Sequence, residues 1–277
     1  MREFLERFSE INPRIIYLVM ACALIIPVLQ PIGLPIVVDE ETTKPVFDWI
    51  ENSKPGEIVF FDVSYGGGSN AELSPQLEAW FYHCMQKGLK AVGVAQWETG
   101  AMIAGDLLKR VAAVAEADGY SAEYGVDWVF IGYKSMIWRE MREDLWKTCG
   151  NTDFYGNNFE DLPLMQKVRQ WTAETSKAFI IFEAGSPGVG TYLVNWADCD
   201  IYVGCVAVNV AGNQSILRSR QIKGLLAGLG GAAQYEKLLG RPGDATSLMD
   251  AQGLGHAMII VLIVLGNISY ILKKKNG

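Results

Sequence analysis

The chain has 277 residues, of which half are hydrophobic, with 24 Lys and Arg against 31 Asp and Glu. A net charge of −7 excludes a general nucleic-acid-binding protein, which needs a basic surface, and the 11% of aromatic residues excludes a disordered chain. Only two histidines, His83 and His256, occur, which removes most histidine-dependent catalysis.

The N-terminal part of the chain predicts a membrane anchor. We predict that residues 1–14 form a short cytoplasmic or interfacial segment, and residues 15–38 carry no charge. As a helix, residues 15–38 would be about 36 Å long, enough to cross a hydrocarbon layer of about 30 Å. Prolines in its second half predict a kink or an end to the helix. No small-residue cleavage site follows, which favours an anchor over a signal peptide.

Residues 39–253 alternate between apolar strand patterns and helix patterns. We predict strands at 57–63, 89–96, 127–133, 177–182 and 200–208, and helices at 75–87, 99–117, 136–148 and 164–176. Continuously apolar strands that alternate with helices are typical of a parallel sheet covered on both faces. The sequence therefore predicts a Rossmann-like, doubly wound α/β domain with a mainly parallel sheet, flanked by two transmembrane helices.

A glycine-rich stretch follows the first predicted strand. Gly66, Gly67, Gly68 and Ser69 can turn backbone N–H groups toward an anion. However, this stretch is not a GxGxxG motif, and the next helix is expected to begin only near residue 75. A plain glycine-rich loop is the alternative interpretation.

A second glycine-rich stretch follows the fourth predicted strand. Gly185 and Gly190 have P-loop spacing, and Ser186 and Gly188 lie between them. Thr191 stands where a P-loop has lysine, so a γ-phosphate would lack its charge partner, and nucleotide hydrolysis is not expected. A simpler phosphate, or no ligand, remains possible for this stretch.

The inventory of catalytic groups is thin. Ser186 as nucleophile with Lys134 as base is one candidate set, and Asp62 with Glu183, both at strand ends, is another for acid–base work. A solvated lysine and strand-end acids without function are the alternatives. His83 lies in mid-helix, which favours a core or surface histidine. We predict no cofactor and no metal, since no Cys/His pattern has zinc spacing.

Residues 221–240 have helical periodicity but include many small residues. Small residues four apart let a second helix approach closely. Five of them are candidate interface residues: Gly224, Ala227, Gly228, Gly231 and Ala232. A subunit interface and packing against the chain's own sheet are both open at this point.

The C-terminal part of the chain predicts a second span at 254–272, followed by a basic tail at 273–277. Arginines and lysines in the two short tails favour cytoplasmic termini, which places the α/β domain outside the cytoplasm. That domain holds 18 Lys and Arg against 28 Asp and Glu. An acidic domain of this kind is repelled by an anionic membrane.

Four cysteines lie in the α/β domain, at Cys84, Cys149, Cys199 and Cys205. They can form two disulfides outside the cytoplasm, or remain reduced, and their spacing does not decide between these states.

Residues 221–240, the following Gly243-Asp-Ala-Thr and the hydrophobic tail resemble uncharacterised prokaryotic two-span membrane proteins of unknown function. The resemblance covers about residues 125–275. It implies no activity and no functional residue.

The favoured hypothesis is a non-catalytic subunit or scaffold of a larger membrane assembly, in contact with the lipid bilayer. Its partners would be further copies of the chain, other membrane subunits, or both, but not nucleic acid. The alternative is a membrane-anchored domain that binds or hydrolyses a small ligand at the strand-end glycine loops. The sequence leaves open whether the protein is an enzyme, although the thin catalytic inventory favours a non-catalytic function.

Overall fold

A computed structural model describes residues 11–135, 138–185 and 188–276. The chain forms two compact units, which we describe separately. One unit consists of residues 37–245, and the other combines residues 1–36 with residues 246–277.

A six-stranded parallel sheet forms the centre of the 37–245 unit. The strands are β1 (Ile58–Ser64), β2 (Lys90–Ala95), β3 (Trp128–Tyr133), β4 (Ala178–Glu183), β5 (Asp200–Cys205) and β6 (Gly224–Ala227). Their order across the sheet is β3-β2-β1-β4-β5-β6. This is the strand order of a Rossmann sheet, with two halves that run outward from β1 and β4. The predicted α/β class and the parallel sheet are confirmed.

Helices cover both faces of this sheet, each over its own hydrophobic core. The helices of the unit are α2 (Thr43–Asn52), α3 (Asn70–Gln86), α4 (Glu98–Ala117), α5 (Trp138–Glu143), α6 (Leu145–Cys149), α7 (Gly188–Asn195), α8 (Val210–Arg218) and α9 (Gly228–Leu239). The core beneath α2, α3, α4 and α9 contains Phe61, Trp80 and Tyr235. The core on the other face contains Phe60 and Trp171. Neighbouring residues of β1 thus fill opposite cores, which explains why this strand is apolar throughout.

Several predicted elements differ from the observed ones. The helix predicted at 164–176 is wrong: only a 3₁₀ turn, Met165–Lys167, forms there. The reason is that Val168 and Trp171 are fully buried, with the Trp171 ring stacked on Phe60, so the segment follows the surface of the sheet. The single helix predicted over 221–240 is also wrong, because it contains strand β6 followed by α9.

The second unit contains two helices. These are α1 (Pro13–Leu29) and α10 (Asp244–Asn276), of which the part from Thr246 onward belongs to this unit. Within the described residues, α10 is the one helix long and apolar enough to cross a membrane, over Asp244–Leu272. The helix predicted to run to residue 38 ends at Leu29, and Pro31 and Pro35 account for that end. Two transmembrane helices therefore stay a prediction.

The chain after α1 is held by a carboxylate of α10. Asp250, which is 1% exposed, accepts hydrogen bonds from the backbone N–H groups of Ile32, Gly33 and Leu34 at 2.7, 2.8 and 2.9 Å. Within the same unit, a Cβ at Gly255 would lie 3.0 Å from Leu24 Cδ2, so α1 and α10 approach closely there. Small residues that allow close helix contact thus occur in α10 itself.

Candidate functional site

The carboxyl ends of β1 and β4 mark the place where the strand order reverses. In open parallel sheets, ligands bind in the crevice outside this reversal point. Here, β1 ends with Asp62, Val63 and Ser64, and β4 ends with Glu183. The sheet therefore brings together the two acidic residues that the sequence analysis had selected at strand ends.

The register of the two strands places the polar side chains on one face. Ser64 pairs with Glu183 at the edge, and Asp62 pairs with Ile181 one step further inside. Side chains alternate between the faces of a strand, so Asp62 and Ser64 share the face of Phe60. That face is covered by α7 and α8.

Asp62 is completely enclosed. The pKa of its carboxyl is raised to about 7, mainly by burial and to a smaller extent by the nearby charge of Glu183. The Ser64 hydroxyl donates a hydrogen bond to Asp62 Oδ2, and weaker interactions come from the Tyr192 hydroxyl and the Val63 backbone. A carboxyl with this pKa can hold or release a proton at neutral pH, which is a property typical of functional sites.

Glu183 is 5% exposed and has two hydrogen-bond donors from the opposite side. Asn213 Nδ2 of α8 donates to Oε1 at 2.9 Å, and the backbone N–H of Val189, in the first turn of α7, donates to Oε2 at 3.3 Å. Burial raises the pKa of this carboxyl also, while these two donors oppose the shift. The carboxylate therefore occupies the N-terminus of α7.

The first glycine stretch differs from the prediction in one respect. A 3₁₀ turn, Gly67–Ser69, leads directly into α3, which begins at Asn70 rather than near residue 75. The glycines thus do lie at a helix N-terminus. A Cβ at Gly66 would lie 2.8 Å from Thr99 Oγ1 and 3.3 Å from Trp97 Cε3, whereas one at Gly68 would meet nothing within 4 Å.

The second glycine stretch is largely helical. Gly188, Gly190 and Thr191 belong to α7, and Gly185 precedes it. Glu183 accepts from the Val189 N–H group, which a phosphate at this position would also need. That this stretch binds a phosphate stays a prediction. Ser186 lies outside the described residues.

Lys134 has a structural partner. Its Nζ donates to the backbone carbonyl of Cys149 at 2.8 Å, at the C-terminal end of α6. A cation at a helix C-terminus is a stabilising contact. The proposed pairing of Lys134 with Ser186 stays a prediction.

The five small residues selected as interface candidates serve internal packing. Gly224, Gly228, Gly231 and Ala232 are buried within the 37–245 unit, and Ala227 is half-buried. A Cβ at Gly231 would lie 2.8 Å from the backbone of Leu226, and one at Gly224 would lie 2.8 Å from Val46. These contacts favour the interpretation that the run packs against its own sheet. A subunit interface stays a prediction.

The domain cysteines are free and buried in the structure, as Cys84, Cys149, Cys199 and Cys205. No group of three or more potential ligands for a metal ion occurs in the part of the chain that the structure describes. The candidate functional site therefore depends on the buried carboxyl groups at the strand ends.

Two residues of the site were missed by the sequence analysis, Tyr192 and Asn213. They lie in α7 and α8, which were not predicted as helices. The pattern V-N-V-A-G-N after β5 carried no helical periodicity that would have identified Asn213.

A cavity of about 840 Å³ opens at the opposite edge of the sheet, at the amino ends of β1, β4 and β5. Its charged lining residues are Asp48, Glu57, Glu174, Lys177 and Asp200, all of them half-buried or exposed. The carboxyl edge, where acidic groups are buried, is therefore the better candidate for a functional site.

Comparison with known proteins adds little. No family model and no curated protein matches this chain. Among solved structures, a quinone oxidoreductase of Pseudomonas syringae pv. Tomato DC3000 aligns with 73% of this chain at 16% identity and a TM-score of 0.21. This chain spans about 60% of the length of that enzyme. A TM-score of that size carries no argument about function.

Proposed function

We propose that this protein is a membrane-anchored α/β domain that binds a small ligand in the crevice between the carboxyl ends of β1 and β4. One observation carries the proposal: Asp62, Ser64 and Glu183 are enclosed on one face, where the strand order reverses. Burying two acidic groups side by side is costly, and proteins accept such a cost mainly at sites of function.

The anchor is the second element of the proposal. Helix α10 has a mean hydropathy of 2.0 over its apolar window, and only 11% of that window is buried within the chain. An apolar helix that the protein leaves uncovered is suited to a lipid environment.

A scaffold function without a ligand, the hypothesis that the sequence favoured, stays a second prediction. One of its supports was the run of small residues at 221–240, beside the thin inventory of catalytic groups. Those residues now have an internal explanation in the contacts of Gly224 and Gly231. The enclosed carboxyl of Asp62, whose pKa is raised by burial, has no comparable explanation in packing.

The test is a thermal-shift screen of the full-length protein in mild detergent against a library of small metabolites. We expect a compound that stabilises the wild-type protein and loses its effect in both Asp62→Asn and Ser64→Ala. The matched control is Asp48→Asn, at the cavity on the opposite edge, which should bind normally.

Two results would contradict the proposal. One is a ligand whose effect is lost in Asp48→Asn but kept in Asp62→Asn, since this would place binding at the amino edge. The other is a library without any compound that depends on Asp62.

A further inference from the structure

Helix α10 carries an exposed amide inside the apolar run that serves as the membrane anchor. Asn267 lies five residues before Leu272, where that run ends, so it is about 7.5 Å inside this end of the helix. An asparagine side chain is too short to reach the membrane surface as a lysine can. Within a bilayer, the amide of Asn267 is therefore surrounded by hydrocarbon unless another protein segment covers it.

The Asn267 side chain has no internal partner that would satisfy it. Its carbonyl oxygen can accept and its NH₂ group can donate, yet it makes no hydrogen bond within the described part of the chain. Asp250, in the same helix, is instead bonded to the backbone of residues 32–34. Polar groups left unpaired in hydrocarbon are costly, and asparagine in a span commonly bonds to a neighbouring helix. The amide thus calls for a partner that both donates and accepts.

Asn267 belongs to a regular stripe of exposed residues along α10. The stripe, which we call the α10 seam, consists of His256, Ile260, Ile263, Asn267 and Tyr270. Their spacings alternate between four and three residues, which is the a/d repeat of a left-handed pair of helices. In this repeat Ile260 and Asn267 occupy a positions. The seam therefore has the pattern of a helix–helix contact.

The α10 seam is also the face that the chain itself covers least. Among the large hydrophobic side chains of α10, those of Tyr270, Ile260 and Ile263 have the highest exposed fractions, at 66%, 61% and 58%. The approach to α1 occurs at Gly255, which is buried and is rotated by about 100° from His256 around the helix. Helix α1 thus leaves the seam open to a further helix.

We infer that the α10 seam docks against the same seam of a second copy of this chain, as a parallel pair of helices. All copies insert in the same orientation, because the same flanking charges orient each of them. Parallel helices place equal a and d positions opposite each other, so Asn267 faces Asn267 of the second copy. Two facing amides are self-complementary, since each carbonyl accepts from the other NH₂ group. This inference rests on the membrane anchor of the proposed function and adds an interaction surface to it.

The experiment is cysteine cross-linking of the full-length protein in its native membrane, in a Cys22→Ala background. Ile260→Cys and Ile263→Cys each place a thiol on the seam, and Val261→Cys is the matched control, exposed on another side of the helix. Oxidation by copper phenanthroline joins thiols whose Cα atoms approach within about 7 Å. We expect a disulfide-linked dimer at positions 260 and 263 and loss of that product at position 261.

A second measurement isolates the amide. Asn267→Leu should weaken the dimer about tenfold in sedimentation equilibrium in mild detergent, because the hydrogen bonds between the helices are lost. Asn267→Gln keeps both hydrogen-bonding groups and should retain most of the affinity. Leucine suits a span, so neither variant is expected to disturb the helix.

Equal cross-linking at positions 260 and 261 would indicate random collision and would overturn the inference, as would an Asn267→Leu dimer as tight as that of the wild type. Cross-linking of the seam to a different protein would also overturn it. Release of the protein from membranes by alkaline carbonate would contradict the anchor, and this inference with it. If the protein stays in the membrane but its seam thiols do not cross-link, the proposed function stands and this inference alone fails.

Discussion

A carboxyl group enclosed in a β-sheet resists ionisation, because its charged form has lost the water that would stabilise it. Asp62 is in this situation, and its pKa of about 7 lies well above the usual 3.8. The folded state thus binds a proton more tightly than the unfolded chain does. The contribution of Asp62 to the free energy of unfolding is fully present below pH 3.8 and is lost as the pH rises through 7.

Replacing Asp62 by Asn should therefore stabilise the protein at high pH. Asn keeps an oxygen that can accept from Ser64 and never carries a charge. The shift of the pKa corresponds to about 4 kcal/mol, so Asp62→Asn should gain up to that amount relative to the wild type between pH 4 and pH 8. Chemical unfolding of the full-length protein in detergent at these two pH values measures the difference. If Asp62→Asn is less stable than the wild type at pH 8, then the buried charge of Asp62 does not destabilise the folded protein.

His83 is a buried residue with the opposite pH dependence. Its Nδ1 lies 2.8 Å from the Tyr235 hydroxyl and its Nε2 lies 3.1 Å from Glu51 Oε2, with Phe47 stacked on the ring. Burial lowers the pKa of His83 to about 4, although Glu51 opposes the shift. The neutral imidazole satisfies both neighbours, so the histidine acts as a structural link between α2, α3 and α9.

Stability from His83 is present above pH 6.5 and is lost as the pH falls toward 4. The shift of its pKa from 6.5 to about 4 corresponds to about 3 kcal/mol of folding stability. We expect the advantage of the wild type over His83→Gln to shrink by up to this amount between pH 7 and pH 4. Because Asp62 acts in the opposite direction over part of this range, the difference between wild type and variant must be compared at each pH. A constant difference would contradict the assignment.

At the level of elements, the approach of α4 to β1 depends on Gly100. A Cβ at this position would collide with the backbone carbonyl oxygen of Tyr65, which cannot move aside as a flexible side chain can. Alanine has a helix propensity better by about 1 kcal/mol, but overpacking against backbone costs about 1–3 kcal/mol.

Gly100→Ala should therefore destabilise the protein by up to about 2 kcal/mol, measured by the midpoint of chemical unfolding. Gly68→Ala is the matched control. Its Cβ would meet nothing within 4 Å, so it should remain within about 0.5 kcal/mol of the wild type. Equal effects of the two substitutions would argue against the close contact.

The link between Asp250 and residues 32–34 is a second element-level feature. Replacing this carboxylate by an amide leaves one oxygen to accept three N–H groups, which should cost about 2 kcal/mol locally. We expect Asp250→Asn to speed amide hydrogen exchange at Ile32, Gly33 and Leu34 by about 30-fold. Gln252→Ala, an exposed position in the same helix, should leave these rates unchanged.

The sequence was sufficient for five of the strands, because each is a short run of apolar residues bounded by glycine or charge. It failed at β6, where Gly224-Leu-Leu-Ala is short and adjoins a helical pattern. The same limit applies to Trp171, an apolar residue at helical spacing that is held in the core as part of a loop. Periodicity reports which residues are buried and leaves open which element buries them.

The site was predictable only in part. Asp62 and Glu183 could be selected because both end a strand, and parallel strands share an edge. Their partners could not be selected, since Asn213 and Tyr192 reach the site from α8 and α7, which the sequence pattern did not predict as helices. The occupation of helix N-termini by Glu72 and Glu183 depends on tertiary contacts, which no local pattern contains.

At the scale of the whole molecule, charge and hydropathy divide the chain. The α/β domain is acidic, with 28 Asp and Glu against 18 Lys and Arg, while the apolar helix α10 ends in a lysine-rich tail. Positive charge beside a span favours the cytoplasmic side. The prediction that both termini are cytoplasmic and the α/β domain is outside therefore depends on Arg2, Arg7 and Arg14 as well as on the tail lysines.

Labelling of single cysteines in intact cells tests this topology. The four domain cysteines are buried, so Cys22→Ala removes the exposed thiol among the described residues. In this background we introduce Ser219→Cys, at an exposed position after α8, or Lys274→Cys, in the tail. A membrane-impermeant maleimide should label position 219 in intact cells and position 274 only after permeabilisation. The reverse pattern would place the domain in the cytoplasm, because the reagent reaches a thiol only on the outer side of the membrane.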